Sequence, residues 1–217
     1  MILALELSSR RGSVAIHDGT RLLSQEVWDE PGARHPALFQ AVPRVLAQAN
    51  LTWADLKAIA AGRGPGAFSG VRVALMAAQT FALPHRTPVL AVSSGEALAM
   101  DLASEAGGHP IVIAGDARRG SIWFAIFQRQ ENAVRKQQDW TLVPAAGFTR
   151  QLVDGAWVAS PDWARLAAAC GPLDPRLYWI EEDRYPSAVR VAEWACSQLA
   201  AGTPGEAVEP LYLHPAV

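Results

Sequence analysis

Cysteine is almost missing from this chain. Cys170 and Cys196 are the only two among 217 residues, and neither has a CxxC partner or a histidine near it in sequence. That excludes a disulfide scaffold and fits buried thiols in a reducing compartment. An excess of either charge is missing too: 19 Lys and Arg stand against 21 Asp and Glu, a net −2. The arginines are scattered, with short pairs at Arg10-Arg11 and Arg118-Arg119, so no basic stripe is present to grip nucleic-acid phosphates. Long apolar runs are also missing. Residues 1–5 lack a basic lead and do not read as a signal peptide. Val71 to Leu83 holds Arg72 and Gln79 and is too short to span a bilayer. A soluble cytoplasmic protein is the expectation. The histidines His17, His35, His85, His109 and His214 lie far apart, with no HxxxH or HExxH pair, so no metal site is expected. No GxSxG elbow marks a hydrolase serine.

What is present is a globular composition, 50% hydrophobic and 18% charged. The length allows one large or two small domains, and such a chain buries roughly 70% of its unfolded surface without staples. Ile2–Leu7, Ser13–His17 and Leu22–Trp28 read as a three-stranded meander, with Asp18-Gly19 as a hairpin turn. Leu38, Phe39, Val42, Val45, Leu46 and Ala49 recur at helical spacing over 37–49, and Pro43 should bend that helix. Thr52 can cap a short helix over Trp53 to Leu56. A strand at Ala58–Ala61 leads through Gly62-Arg63-Gly64-Pro65-Gly66 to a helix over 68–82. Strand Val89–Val92 and a helix capped by Ser93 or Ser94 and running to about Ala103 complete this part.

Residues 105–110 form the best linker, which divides the chain into lobes 1–104 and 110–217. The pattern then restarts with strands at Ile111–Gly115, Ser121–Phe127 and Trp140–Val143. Strand Trp157–Ala159, helix Trp163–Ala169, strand Tyr178–Ile180 and a final helix Ser187–Ala200 follow; Val191, Ala192, Ala195 and Leu199 share one side of that last helix. Arg10-Arg11-Gly12-Ser13-Val14 and Arg118-Arg119-Gly120-Ser121-Ile122 occupy matching turns, each after a strand ending in a carboxylate, Glu6 or Asp116. Two readings stay open: hairpins that share turn chemistry by chance, or a duplicated ribonuclease-H-like α/β domain of the actin–hexokinase–Hsp70 type.

The glycines at 62, 64 and 66 let the backbone approach something closely, and the helix behind them would favour an anion. The run is neither a Walker A loop nor a dinucleotide fingerprint. On spacing alone a tight strand-to-helix turn is preferred over a phosphate site. Glu6, Ser8, Ser9, Gly64, Gly66 and Asp116 are the candidate phosphate or nucleotide contacts. Against that, a strand-end Glu6 paired with an arginine, a plain hairpin turn at Ser8-Ser9, and a turn-starting Asp116 are favoured. The helix over 68–82 is apolar on two sides: Phe68, Val71, Leu75, Ala78 and Ala82 form one stripe, and Val73, Met76, Ala77 and Thr80 another. A helix that is apolar all round is covered all round. A second chain could cover one stripe, or a third layer of this one. The interface candidates are Leu38, Val42 and Val45 on the first helix and Phe68, Val73, Met76, Ala77 and Thr80 on the second. The tryptophans sit in patterned segments and do not form a base-stacking array.

Read together, these blocks resemble the TsaB (YeaZ) family. Ile2 to Ser9 resembles its ILAIDTS opening, and Gly62 to Arg72 its GRGPGSFTGVR run. His35 with the helix through Pro43 resembles its H-x-x-x-L-L-P segment, Asp116 to Trp123 its DAR-x-G-E-V-Y hairpin, and Pro210 to Leu213 its P-x-Y-L tail. Glu6 departs from the usual aspartate, and Ser121 from the usual glutamate. The resemblance implies two ribonuclease-H-like lobes and a role in bacterial synthesis of N6-threonylcarbamoyladenosine in tRNAs reading codons that begin with adenosine. It implies a non-catalytic subunit that binds a catalytic paralogue, TsaD, through the first-lobe helices, with a TsaE-like ATPase joining the pair and tRNA met indirectly. No cofactor is required on this reading, ATP or ADP entering only with the assembled complex. A homodimer of the isolated chain stays open. The alternatives are a small ATP-dependent phosphotransferase or ATPase of the same fold, framed by Glu6, the 8–12 turn and Asp116, and, more weakly, a protease acting on the partner.

Overall fold

A computed structural model describes residues 1–29, 36–131, 133–202 and 207–213; His35 and His214 lie outside them. The first sheet grows from β1 (Ile2–Glu6), every residue of which is buried. It pairs antiparallel with β2 (Arg11–His17), Ala4 opposite Ala15, and β2 pairs antiparallel with β3 (Leu22–Asp29). Asp18 builds the turn between β2 and β3 by accepting the N–H groups of Thr20 and Arg21. On the other side β1 runs parallel to β4 (Ala58–Gly62), and β4 to β5 (Val89–Val92), giving the order β3-β2-β1-β4-β5.

Strand side chains alternate between faces, and the two faces of this sheet differ in size. Leu3, Leu5, Val14, Ile16 and Ile59 meet α1 (Pro36–Gln48) and α2 (Phe68–Ala82) in one cluster. α1 runs through Pro43, whose ring removes one backbone donor. The opposite face has an alanine patch, Ala4, Ala15, Ala58 and Ala60, flanked by Ile2, Leu90 and Val92, and it packs against Ala188, Val191, Ala192 and Ala195 of the last helix.

The second sheet repeats the plan. β6 (Ile111–Arg118), β7 (Ser121–Gln130) and β8 (Ala133–Pro144) form an antiparallel meander. β9 (Trp157–Ser160) joins β6 in parallel and β10 (Tyr178–Asp183) joins β9, for the order β10-β9-β6-β7-β8. α3 (Ser94–Leu102) precedes this sheet, α4 (Trp163–Cys170) lies between β9 and β10, and α5 (Ala188–Ala201) follows. Leu166 of α4 packs with Val112, Phe124, Phe148 and Val158 on one face. The same strand order twice over decides between the two readings of the repeat: it is a duplication of an α/β, ribonuclease-H-like unit.

The expected lobes 1–104 and 110–217 require correction. The compact units are residues 1–97 with 186–211, and 98–185 with 212–217. The final helix returns to the first sheet because its small-residue face fits the alanine face there. Its start is fastened by the Ala188 N–H donating to Ser13 Oγ at 2.9 Å, and Ser187 caps it by accepting the Arg190 N–H. Leu199, expected with the buried side, is 43% exposed. β8 is also three times the length expected for it, because Ala133 to Asp139 continues the pairing with β7 despite its polar sequence.

Candidate functional site

The bend after β4 is built by close approach. A Cβ on Gly62 would lie 1.9 Å from Glu6 Oε2 and 2.7 Å from Ser94 Oγ, and one on Gly66 would lie 2.2 Å from the Ser8 carbonyl oxygen. Backbone bonds lock the same contacts. The Ala67 N–H donates to Ser8 O at 2.7 Å, the Arg63 N–H to Val92 O at 2.8 Å, and the Ser94 N–H to Gly64 O at 2.9 Å. The Gly64 N–H donates in return to Ser94 Oγ at 3.0 Å, with φ +89 at Gly64.

Glu6, Ser8, Ser9, Gly64 and Gly66 all lie in the first unit, where Ser8 touches both Glu6 and the Gly66 segment. Glu6 is fully enclosed. Its Oε1 accepts the Ser8 N–H at 2.6 Å, while Oε2 has no well-formed partner among the described residues. Burial pushes this carboxyl up from the usual 4.5, and hydrogen bonding from Ser8 and Ser94 only tempers the effect. The expected arginine partner for Glu6 is therefore replaced by backbone. Ser9 Oγ accepts the Arg11 N–H and donates to Arg11 O, which is turn chemistry. Asp116 belongs to the second unit. It accepts the Arg118 N–H at 2.8 Å and shapes a turn in which Arg118, Arg119 and Gly120 all have positive φ. Both thiols are ordinary: burial pushes Cys170 up to about 11 and raises Cys196. Among the described residues no three His, Cys, Asp or Glu side chains gather, and no helix is long and apolar enough to cross a membrane.

The other candidate is the outer face of α1 and α2, and here several expectations are corrected. Leu38, Val42 and Val45 have no exposure, and Ala77 has 5%. All four are sealed in the cluster beneath the helices because they share the side that the sheet covers. Val73 is half-buried against the same cluster. Phe68 is 59% exposed although Val71, Leu75, Ala78 and Ala82 of its stripe are buried, and Met76 is 61% exposed. Thr80 is exposed, its hydroxyl donating to Met76 O. Sequence reading missed Leu83, 74% exposed, and Phe39, 54% exposed, which meets Phe81 edge-on at 6.2 Å. Phe81 in turn lies against Trp53 at 5.0 Å, and the Arg72 guanidinium sits 3.7 Å over the Phe68 ring. The signal for Phe39 was available: it sits one residue off the buried spacing of Leu38, Val42 and Val45.

A duplicated ribonuclease-H-like chain with an internally packed glycine bend and an apolar outer helix pair is the class these features define. A family model described as TsaD, tRNA N6-adenosine threonylcarbamoyltransferase, matches residues 34–145, just over half of the chain. The Escherichia coli K12 protein TsaB, named for tRNA threonylcarbamoyladenosine biosynthesis, is 29% identical over 98% of this chain and 94% of its own length. A crystal structure of YeaZ from Pseudomonas aeruginosa superposes with TM-score 0.79 at 29% identity, covering 98% of this chain and 99% of that one. A second structure from that organism, described as similar to peptidase YeaZ, gives 0.82 at 28% identity over the same shares. The chain belongs to the TsaB (YeaZ) family, within the TsaD-type group, and so to the proteins of tRNA threonylcarbamoyladenosine synthesis.

Proposed function

We propose that this chain is a non-catalytic scaffold that binds a TsaD-like paralogue and holds it in its active arrangement for threonylcarbamoylation of the adenosine beside the anticodon. The observation that carries this reading is the set of exposed apolar side chains Phe68, Met76 and Leu83 on α2, with Phe39 exposed on α1 against Phe81. Isolated exposed hydrophobics are ordinary, but four of them on one helix pair favour an interaction surface. Covering the exposed parts of these four side chains would contribute about 1 kcal/mol each. The paralogue is favoured as occupant because the TsaD family model spans both α1 and α2. A partner with the same helix pair can meet this one face to face, like against like. A TsaE-like ATPase would join that pair, with tRNA met through the complex; no cofactor is needed in this chain.

The test is copurification with the TsaD-family protein of the same genome. Met76→Glu should weaken pairing about a hundredfold, because it places a charge in the covered stripe, and should leave the melting curve unchanged. Pairing that survives Met76→Glu and Phe68→Glu would defeat the proposal. The rival ATPase reading asks that Glu6 and Asp116 take part in holding nucleotide. Calorimetry with ATP and magnesium decides it: micromolar binding lost in both Glu6→Ala and Asp116→Ala would favour the rival.

A further inference from the structure

The exposed stripe of α2 has two flanks. At 100° per residue, Phe68, Gln79, Arg72, Leu83, Met76 and Thr80 span one arc of the helix in that order, and all six are exposed. Beyond the Thr80 edge come Val73, Ala77 and Phe81, which lead to Phe39 and Trp53. On the Phe68–Gln79 side lies a segment from the far end of the chain. Gln79 Nε2 donates to Val208 O at 3.4 Å, and Val208 packs against the same core cluster as α1 and α2. Three residues on, the Leu211 N–H donates to Arg63 O at 2.8 Å, inside the glycine bend. The segment 207–211 therefore links the C-terminal part of α2, at Gln79, to the loop that precedes the helix, and its last bond is made five residues before Phe68.

We infer that residues 207–211 are a strap forming the second wall of the docking face, so that seating of the strap and binding of the paralogue are coupled. This deepens the scaffold reading and rests on it. A partner that covers Phe68, Met76 and Leu83 between two flanks meets the strap at Val208 and Glu209, the latter exposed. The strap in turn holds Arg63, and with it the start of α2. Linkage makes the effect reciprocal: a partner that binds only the strapped form must also hold the strap down.

The experiment uses the full chain and the TsaD-family protein of the same genome. Amide exchange at Leu211 should slow about tenfold when the partner saturates the chain, as expected for coupled opening and binding. Leu211→Pro removes the N–H that reaches Arg63, together with the leucine side chain, and should weaken pairing about tenfold, whereas Leu211→Ala, which keeps the N–H, should weaken it less; Val208→Asp should do at least as much as Leu211→Pro. Should Val208→Asp fail to fold, Leu211→Pro and the exchange measurement still decide. Wild-type affinity in Leu211→Pro, together with Leu211 exchange in the wild-type chain that the partner leaves unchanged, while Met76→Glu abolishes pairing, overturns the strap and leaves the docking face standing. Loss of no affinity in any of the variants overturns the docking face itself.

Discussion

Gly66→Ala is the sharpest probe of how the bend is held. The new Cβ would lie 2.2 Å from the Ser8 carbonyl oxygen and 2.8 Å from Ser8 Cβ. The first atom is backbone in the turn after β1, so no flexible side chain can swing away. The two segments must part by about 1 Å to restore ordinary contact, and the 2.7 Å bond from the Ala67 N–H to Ser8 O breaks with that movement. A lost buried hydrogen bond costs about 1–3 kcal/mol, and overpacking about 1–3 more. Reduced freedom of the unfolded chain returns about 0.4–1 kcal/mol. The net is about 1–6 kcal/mol, or roughly 2–20 °C in Tm for a chain of this size. Gly147→Ala is the matched control, since nothing lies within 4 Å of its Cβ position and its φ is not positive. Thermal and urea unfolding followed by circular dichroism give both numbers. If Gly66→Ala changes stability no more than Gly147→Ala, the close-approach account of the glycine bend is wrong.

Glu6→Gln tests the enclosed carboxyl. Because its value is raised in the folded protein, folding favours the protonated form. Its contribution is full below the usual 4.5 and is lost as pH rises through the raised value. The variant should match wild type in acid and become relatively more stable as pH climbs, read from denaturation midpoints across pH; a flat difference would reject the burial argument. Leu38→Ala should cost about 2–5 kcal/mol, since the side chain has no exposure, whereas Phe39→Ala on the next residue should cost under about 1.5 kcal/mol. Equal losses by chemical denaturation would mean that the two faces of α1 are misassigned.

Much of the fold was legible because punctuation and periodicity agree. α2 and β5 begin and end where the glycine bend, Pro84 and Pro88 put them. The first half of β8 was not legible: Arg135, Lys136, Gln137 and Gln138 carry no strand pattern, and only the ladder with β7 makes them a strand. The home of α5 was hidden for a related reason. Its small face is informative only once Ala4, Ala15, Ala58 and Ala60 are known to share one side of a sheet. The docking stripe was half legible. A helix apolar on two sides announces two coverings, but the sequence does not say which side the sheet takes. Phe68 and Ala77 consequently fell in the wrong groups, and Leu38, Val42 and Val45 were credited to a surface they never reach.

The same accounting bears on why a glycine bend beside a helix need not bind phosphate. An incoming anion needs free donors, and a divalent cation needs a charged carboxylate. Here the Gly64 N–H is engaged with Ser94, the Ala67 N–H with Ser8 and the Ser9 hydroxyl with Arg11. Each exchange for a ligand oxygen would first break an internal bond, at about 1–3 kcal/mol if its partner stays buried and unpaired. Glu6 is set against charge by its own enclosure, and its carboxyl group, with Ser94 Oγ, takes up the space a Cβ at Gly62 would need. Opening the bend to admit a nucleotide would therefore loosen Arg63 and the start of α2 together. Those are the parts that the strap and the outer stripe need fixed, so within this unit nucleotide binding and partner docking place opposing demands on the same loop.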